Sequence, residues 1–240
     1  MPRFFVEEVK GLIYVLRGED AFHIIKSLRM KKGEQVILCD KKRIDYICKI
    51  EKESTKEVFL KVISSEPCKS EPKIEITIYQ GVPKSDKMDL IVQKVVELGT
   101  FQIVPIFMKR CISLPDEKSM QKKIDRWQKI SKEAAKQSGR GLIPKILPAM
   151  RLEDSLKHAE KTDCIIAFYE GGGERLNEMI NGKIKKVSIF IGPEGGFEES
   201  EIELIKKFGG KISTLGPRIL RTETASIVAT ALISNLSEEI

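Results

Sequence analysis

Apolar positions along this chain follow two different spacings, and the change from one to the other divides it. From residue 74 onward, short apolar runs at 74–79, 103–107, 164–168, 187–191 and 212–215 each have the length of a buried strand. Between them apolar residues recur three and four apart. Met88, Val92 and Val95 mark a helix over 84–98, Ile124, Trp127, Ile130 and Ala134 a long one over 118–138, and a shorter helix spans 152–159. Ile202, Ile205 and Phe208 give a helix over 198–208, with acids crowded at its front where the helix dipole favours them. A last helix over 222–236 carries Ile227, Val228, Ala231 and Leu232. Ile146-Leu147 is too short to assign. Alternating strands and helices predict an α/β fold with a parallel sheet, whose ligand loops leave the C-terminal strand ends.

Residues 1–65 are patterned differently. Apolar runs fall at 12–16 and 36–39, and Ile44, Tyr46, Cys48 and Ile50 alternate with polar neighbours as a half-buried strand requires, with Lys41-Lys42 placed for a hairpin turn. One helix is predicted over 21–30, from Phe22, Ile25 and Leu28 after the acidic Glu19-Asp20. A small β-barrel with one helix fits this half. The stretch 64–73, SSEPCKSEPK, has prolines, serines and no apolar period, so domains of 1–70 and 71–240 are expected.

Composition removes several function classes. No apolar run is long enough to span a bilayer and the first ten residues lack a signal-peptide layout, so a cytoplasmic protein without membrane contact is expected. The cysteines, at 39, 48, 68, 111 and 164, are odd in number and form no CxxC pair, which predicts reduced thiols rather than a disulfide frame or zinc knuckle. With only His23 and His158, neither a histidine triad nor a metal site is expected. A net charge of +7 invites a polyanion, and it is unevenly placed: residues 1–70 hold 15 Lys and Arg against 11 Asp and Glu, and residues 118–140 hold 8 against 2.

The candidate chemistry sits where strands stop. The runs 187–191 and 212–215 each end in Gly-Pro, opening the loops 192–197 (GPEGGF) and 216–224 (GPRILRTET), and 168–173 reads FYEGGG. Glycines there allow close backbone approach to a ligand, and a backbone edge suits a flat heterocycle. There is no GxGxxG after a first strand and no Gly-Lys-Ser/Thr, so neither a dinucleotide site nor a P-loop is supported. Ile219-Leu220 either cover an adenine ring or pack under the last helix, and FYEGGG either meets a ligand or is a linker. Glu133, Gln137 and Arg140 share a face if the long helix persists past Gly139; otherwise Arg140 caps it.

IGPEGGF followed by LGPRILRTETA resembles the RsmE family of the SPOUT superfamily, S-adenosylmethionine-dependent methyltransferases acting on N3 of a uridine in 16S (small-subunit) ribosomal RNA. The resemblance runs from MPRFF to the final helix. It implies a C-terminal parallel-sheet domain tied in a trefoil knot, a PUA-like β-barrel RNA-binding domain before it, and a homodimer whose partner is 16S rRNA within the small ribosomal subunit. The cofactor, S-adenosyl-L-methionine, would lie against Phe168, Tyr169, Glu170 and Gly171, then Ile191, Gly192, Pro193, Glu194, Gly195 and Gly196, then Leu215, Gly216, Ile219, Leu220, Arg221, Thr222 and Ala225. RNA contacts would come from Arg3, Arg17, Lys26, Arg29, Lys31, Lys32 and Arg140, the last in a family motif EAAKQSGR.

Uracil N3 carries a proton at neutral pH, so its methylation needs that proton to leave and the anion to be stabilised. Arg221 is the first candidate stabiliser, Arg218 and Arg140 follow, and Glu194 is a candidate proton acceptor. An ion pair of Arg221 with Glu223 or Glu194 would instead only shape the loop. Two other readings stand beside this one: a SPOUT methyltransferase acting on another RNA, and an RNA-binding assembly factor without catalysis.

Overall fold

The computed structural model describes residues 1–54, 56–112, 115–180 and 183–238, and its packing divides into two units. The first unit comprises 1–71 with 135–143 and the second comprises 72–134 with 144–240.

In the first unit, β1 (Arg3–Phe5), β2 (Ile13–Arg17), β3 (Gln35–Cys39), β4 (Ile44–Glu53) and β5 (Glu57–Pro67) form one sheet in the order β1-β3-β4-β5-β2. Pairing is antiparallel except β1 with β3. The expected barrel is therefore a curled five-stranded sheet with β1 and β2 at its ends. Alternation in β4 does what its pattern predicts: Cys48 and Ile50 are buried beside Val36, Leu38, Val58 and Leu60, and Phe4, Leu16 and Ile24 close the core. The boundary stretch is more ordered than its composition suggests, because 64–67 continue β5 and pair with 44–47.

The helix of this unit starts before its predicted bound. It comprises α1 (Gly18–Phe22) and a π turn (His23–Ser27), in which the Leu28 N–H reaches the carbonyl of His23, five residues back.

The second unit contains β6 (Glu75–Gly81), α2 (Lys87–Glu97), β7 (Gln102–Phe107), α3 (Glu117–Gln137), β8 (Lys145–Ile146), β9 (Met150–Arg151), α4 (Leu152–Ala159), β10 (Cys164–Phe168), α5 (Leu176–Met179), β11 (Lys186–Ile191), α6 (Glu199–Lys207), β12 (Lys211–Ser213) and α7 (Thr222–Glu238). The strand order is β12-β10-β11-β6-β7-β8, all parallel, with β9 also beside β7. Strands covered on both faces read as continuous apolar runs, and β10 is buried throughout, as β11 is from Val187 onward. Tyr79 of β6 stacks on Phe190 of β11 with ring centres 4.4 Å apart, and its hydroxyl meets His158 Nδ1 at 2.6 Å.

Helix ends follow local chemistry. Glu198 and Glu201 form a reciprocal capping box at the start of α6. Helix α3 stops at Gln137 because Gly139 takes φ 74, letting the Arg140 N–H bond the Ala135 carbonyl in a Schellman closure. The helical face that Glu133, Gln137 and Arg140 would have shared therefore does not form.

Candidate active site

Parallel strands deliver their C-terminal ends to one edge. The loops after β10, β11 and β12 meet there around a cleft of about 280 Å³ in the second unit. Every residue expected against the cofactor lines it except Gly171 and Gly195. A side chain at Gly171 would enter the Tyr169 ring, and one at Gly195 would crowd Arg110, whose Nη1 donates to the Gly195 carbonyl at 2.7 Å. Gly196 holds φ 68, and a Cβ there would meet the Glu170 carboxylate at 2.5 Å. Phe197, which closes the loop 192–197, also lines the cleft, as do Lys87 and Thr214, which were not singled out by sequence. For Thr214 the signal was its place in the run 212–215 that leads into the second loop; Lys87, at the first turn of α2, offered none.

Lys87 is the hub of the polar edge. Its Nζ lies 2.9 Å from Glu194 Oε1 and 3.6 Å from Glu223 Oε2, joining the loop after β11 to the start of α7. The Lys84 N–H also donates to the Glu194 carboxylate, at 3.1 Å. Burial opposes ionisation of Glu194, yet the bond from Lys87, backbone N–H donors and the Lys87 charge together hold its carboxyl below the usual range. A carboxylate so held is deprotonated at neutral pH, the form a proton acceptor requires, though a weaker base than an unpaired one.

A buried relay fixes the same loops from beneath. Gln80 Nε2 donates to Thr222 Oγ1 at 2.9 Å, Thr222 Oγ1 donates to the Gly192 carbonyl at 2.6 Å, and Ser226 Oγ bonds Gln80 Oε1. Thr222 thus packs as a strut of the cleft wall.

The loop after β12 is the open side. Ile219 is 86% exposed and does not pack under α7, whereas Leu220 is half-buried. Arg218 and Arg221 are exposed, and among the described residues neither makes an ion pair. The acids that could have bound Arg221, Glu194 and Glu223, both face Lys87 instead.

The first unit sorts the other expected residues. Arg140 is 2% exposed, with Nε 2.8 Å and Nη2 3.1 Å from the Glu71 carboxylate, which also accepts the Gly141 N–H. Buried and held by Glu71 in this way, it is not presented at the surface for a phosphate or a substrate. Arg3 is likewise held, both Nη atoms lying 2.6 Å from the Asp45 carboxylate, so it too is withdrawn from RNA. Arg17 is exposed and paired with Glu57 at 2.7 Å. Lys26, Arg29, Lys31 and Lys32 are exposed, and among the described residues none makes an ion pair.

The comparisons agree with this architecture. A family model described as an RNA methyltransferase domain matches residues 69–234, and one described as an RNA methyltransferase PUA domain matches 16–63. The ribosomal RNA small subunit methyltransferase E of Bacillus subtilis is 35% identical, the match covering 99% of this chain and 98% of that protein. A Neisseria gonorrhoeae protein of the same name, solved with bound S-adenosyl methionine, is 29% identical with a TM-score of 0.85, covering 98% of each chain. A Legionella pneumophila methyltransferase solved with the same cofactor is 30% identical with a TM-score of 0.85, covering 97% of this chain and 96% of that one. With a model matched over most of its length and a full-length relative at this identity, the chain belongs to the RNA methyltransferase family, among the ribosomal RNA small subunit methyltransferases E.

Proposed function

We propose that this protein transfers a methyl group from S-adenosyl-L-methionine to N3 of a uridine in 16S ribosomal RNA. The observation that carries the reading is the pairing of a glycine-edged, partly apolar cleft with two guanidinium groups, Arg218 and Arg221, that make no ion pair among the described residues. The cleft suits the cofactor: Phe168, Ile191, Leu215 and Leu220 supply apolar walls, backbone groups at Gly192 and Gly196 a polar edge, and its size approaches that of small-molecule sites. When bound, the cofactor supplies an electrophilic methyl on a sulfonium. The chain's own residues have three tasks. The loops after β10, β11 and β12 would hold the ligand, and Ile219 and Leu220 would cover it against water. Arg221, with Arg218 beside it, donates paired N–H groups to the uracil oxygens on which charge collects as the N3 proton departs. Glu194, ionised beside Lys87, is in the form that can take up that proton, directly or through a water, and pass it on to solvent.

A trefoil knot is part of the proposal, supported by the way Thr222, after the last strand, is bonded to Gly192 and to Gln80 far earlier in the chain. A homodimer is supported by Leu90 and Leu232, exposed on the adjoining helices α2 and α7. No helix among the described residues is long and apolar enough to cross a membrane, and a cytoplasmic enzyme meeting the assembled small subunit follows from the substrate. Titration calorimetry with S-adenosylmethionine tests the site. Mass spectrometry of rRNA nucleosides from cells lacking the protein, before and after adding it back, tests the reaction: a 3-methyluridine that persists without it overturns the assignment.

A further inference from the structure

The solvent side of α1 and its π turn carries features that methyl transfer does not use. Ala21 and Ile24 are fully buried and anchor the segment, while Phe22 is 58% exposed and Leu28 40%. Phe22 and Lys26 stand four residues apart, on one face of the turn. Arg29, at the exit, adopts φ 51, a conformation that glycine takes freely and a side-chain-bearing residue rarely does. The arginine there runs against local backbone preference. Lys31 and Lys32 follow it. Of the nearby acids, Asp20 is paired with Lys136, and among the described residues neither Glu19 nor Glu34, which accepts the Lys31 backbone N–H, makes an ion pair with Lys26, Arg29, Lys31 or Lys32. An exposed aromatic ring among unneutralised cations matches a single strand, whose bases are free to stack and whose phosphates need counter-charges. A duplex hides its bases and would use the cations alone.

Resting on the reading of the chain as an RNA methyltransferase, we propose that Phe22 is a stacking platform for an unpaired RNA base, with Lys26, Arg29, Lys31 and Lys32 holding the flanking phosphates.

The test uses the full chain with a short oligouridylate and a short RNA duplex as probes. Phe22→Ala should bind the oligouridylate at least about tenfold more weakly, within the range that removing one stacked base produces. Its affinities for the duplex and for S-adenosylmethionine should not change. Phe22→Trp should retain single-strand affinity, and its fluorescence should be quenched by the oligouridylate over the constant signal of Trp127, the chain's one native tryptophan, which is 4% exposed. Lys26→Ala combined with Lys31→Ala should flatten the salt dependence for both probes. Wild-type affinity in Phe22→Ala, an equal loss on strand and duplex, or no quenching in Phe22→Trp would overturn the platform. A wild-type chain that binds neither probe overturns it as well, while cofactor affinity and methyl transfer report separately on the catalytic reading.

Discussion

The turn after α3 and the loop after β12 each place arginine close to glycine, Gly139-Arg140 in one and Gly216 with Arg218 and Arg221 in the other, yet their charges meet opposite surroundings. Arg140 is buried against Glu71 through paired hydrogen bonds, whereas Arg221 is exposed and the two acids expected against it, Glu194 and Glu223, face Lys87. A guanidinium is available for a substrate only where the fold assigns neighbouring carboxylates elsewhere. On this contrast the first arginine holds structure together and the second is left for chemistry.

The largest effect should come from breaking the committed pair. Arg140→Ala strands Glu71 in a buried position and should cost about 3–5 kcal/mol of stability, read from the denaturant midpoint. A variant as stable as wild type but unable to methylate would reverse the contrast. Next, Arg221→Lys keeps the charge and loses the double donor, so the single-turnover methylation rate should fall by about 10² with near-normal cofactor affinity. Full activity would remove Arg221 from the mechanism, and loss of cofactor binding would make it structural too.

Gly196→Val, strained by its positive φ and driven into the Glu170 carboxylate, should weaken S-adenosylmethionine binding at least about tenfold by calorimetry. The smallest effect concerns the hub. The Glu194 carboxyl is depressed in the folded chain, so its contribution is complete above the ordinary carboxylate value of about 4.3 and is lost as pH falls through the lower folded value. Stability, read from the denaturant midpoint, should therefore hold at neutral pH and decline in that acid window. Lys87→Met removes the donor that depresses this carboxyl, so it should lower cofactor affinity severalfold at neutral pH and move the stability decline upward; an unshifted profile would take Lys87 out of the clamp.

Much of the second unit was legible in the sequence because local pattern decides it. The runs 164–168 and 187–191 became β10 and β11, and the spacing of Ile202 and Ile205 became α6, with no information needed beyond a few neighbours. The loop motifs likewise led to the cleft-lining residues. Partner choice was not legible. Glu71 and Arg140, or Asp45 and Arg3, come together only through tertiary folding, and each arginine alone reads as a surface cation. Lys87 was missed for the same reason, since its two acids lie beyond residue 190. The π turn was hidden because 21–30 has ordinary helical spacing, and the end of β5 because prolines and serines mimic a linker.

The sheet's central pairing has a consequence for how the chain is made. β6 joins β11 in register, Ile78 beside Ile189, so the middle of the sheet is closed by segments separated by about half the polypeptide. Neighbouring β6 and β7 can pair early, but β10 and β12 attach only through β11, and the cleft exists only once all of them are in place. Loop-closure entropy must be overcome before those contacts form, which makes such a topology slow to assemble. The core of the first unit, drawn from residues 4 to 60, needs none of this and can condense while the rest is still being synthesised. Synthesis therefore imposes an order: the core beneath Phe22 can form first, the surface around it is completed when Lys136 reaches Asp20, and the methyl-transfer cleft matures last, after α7 has left the ribosome.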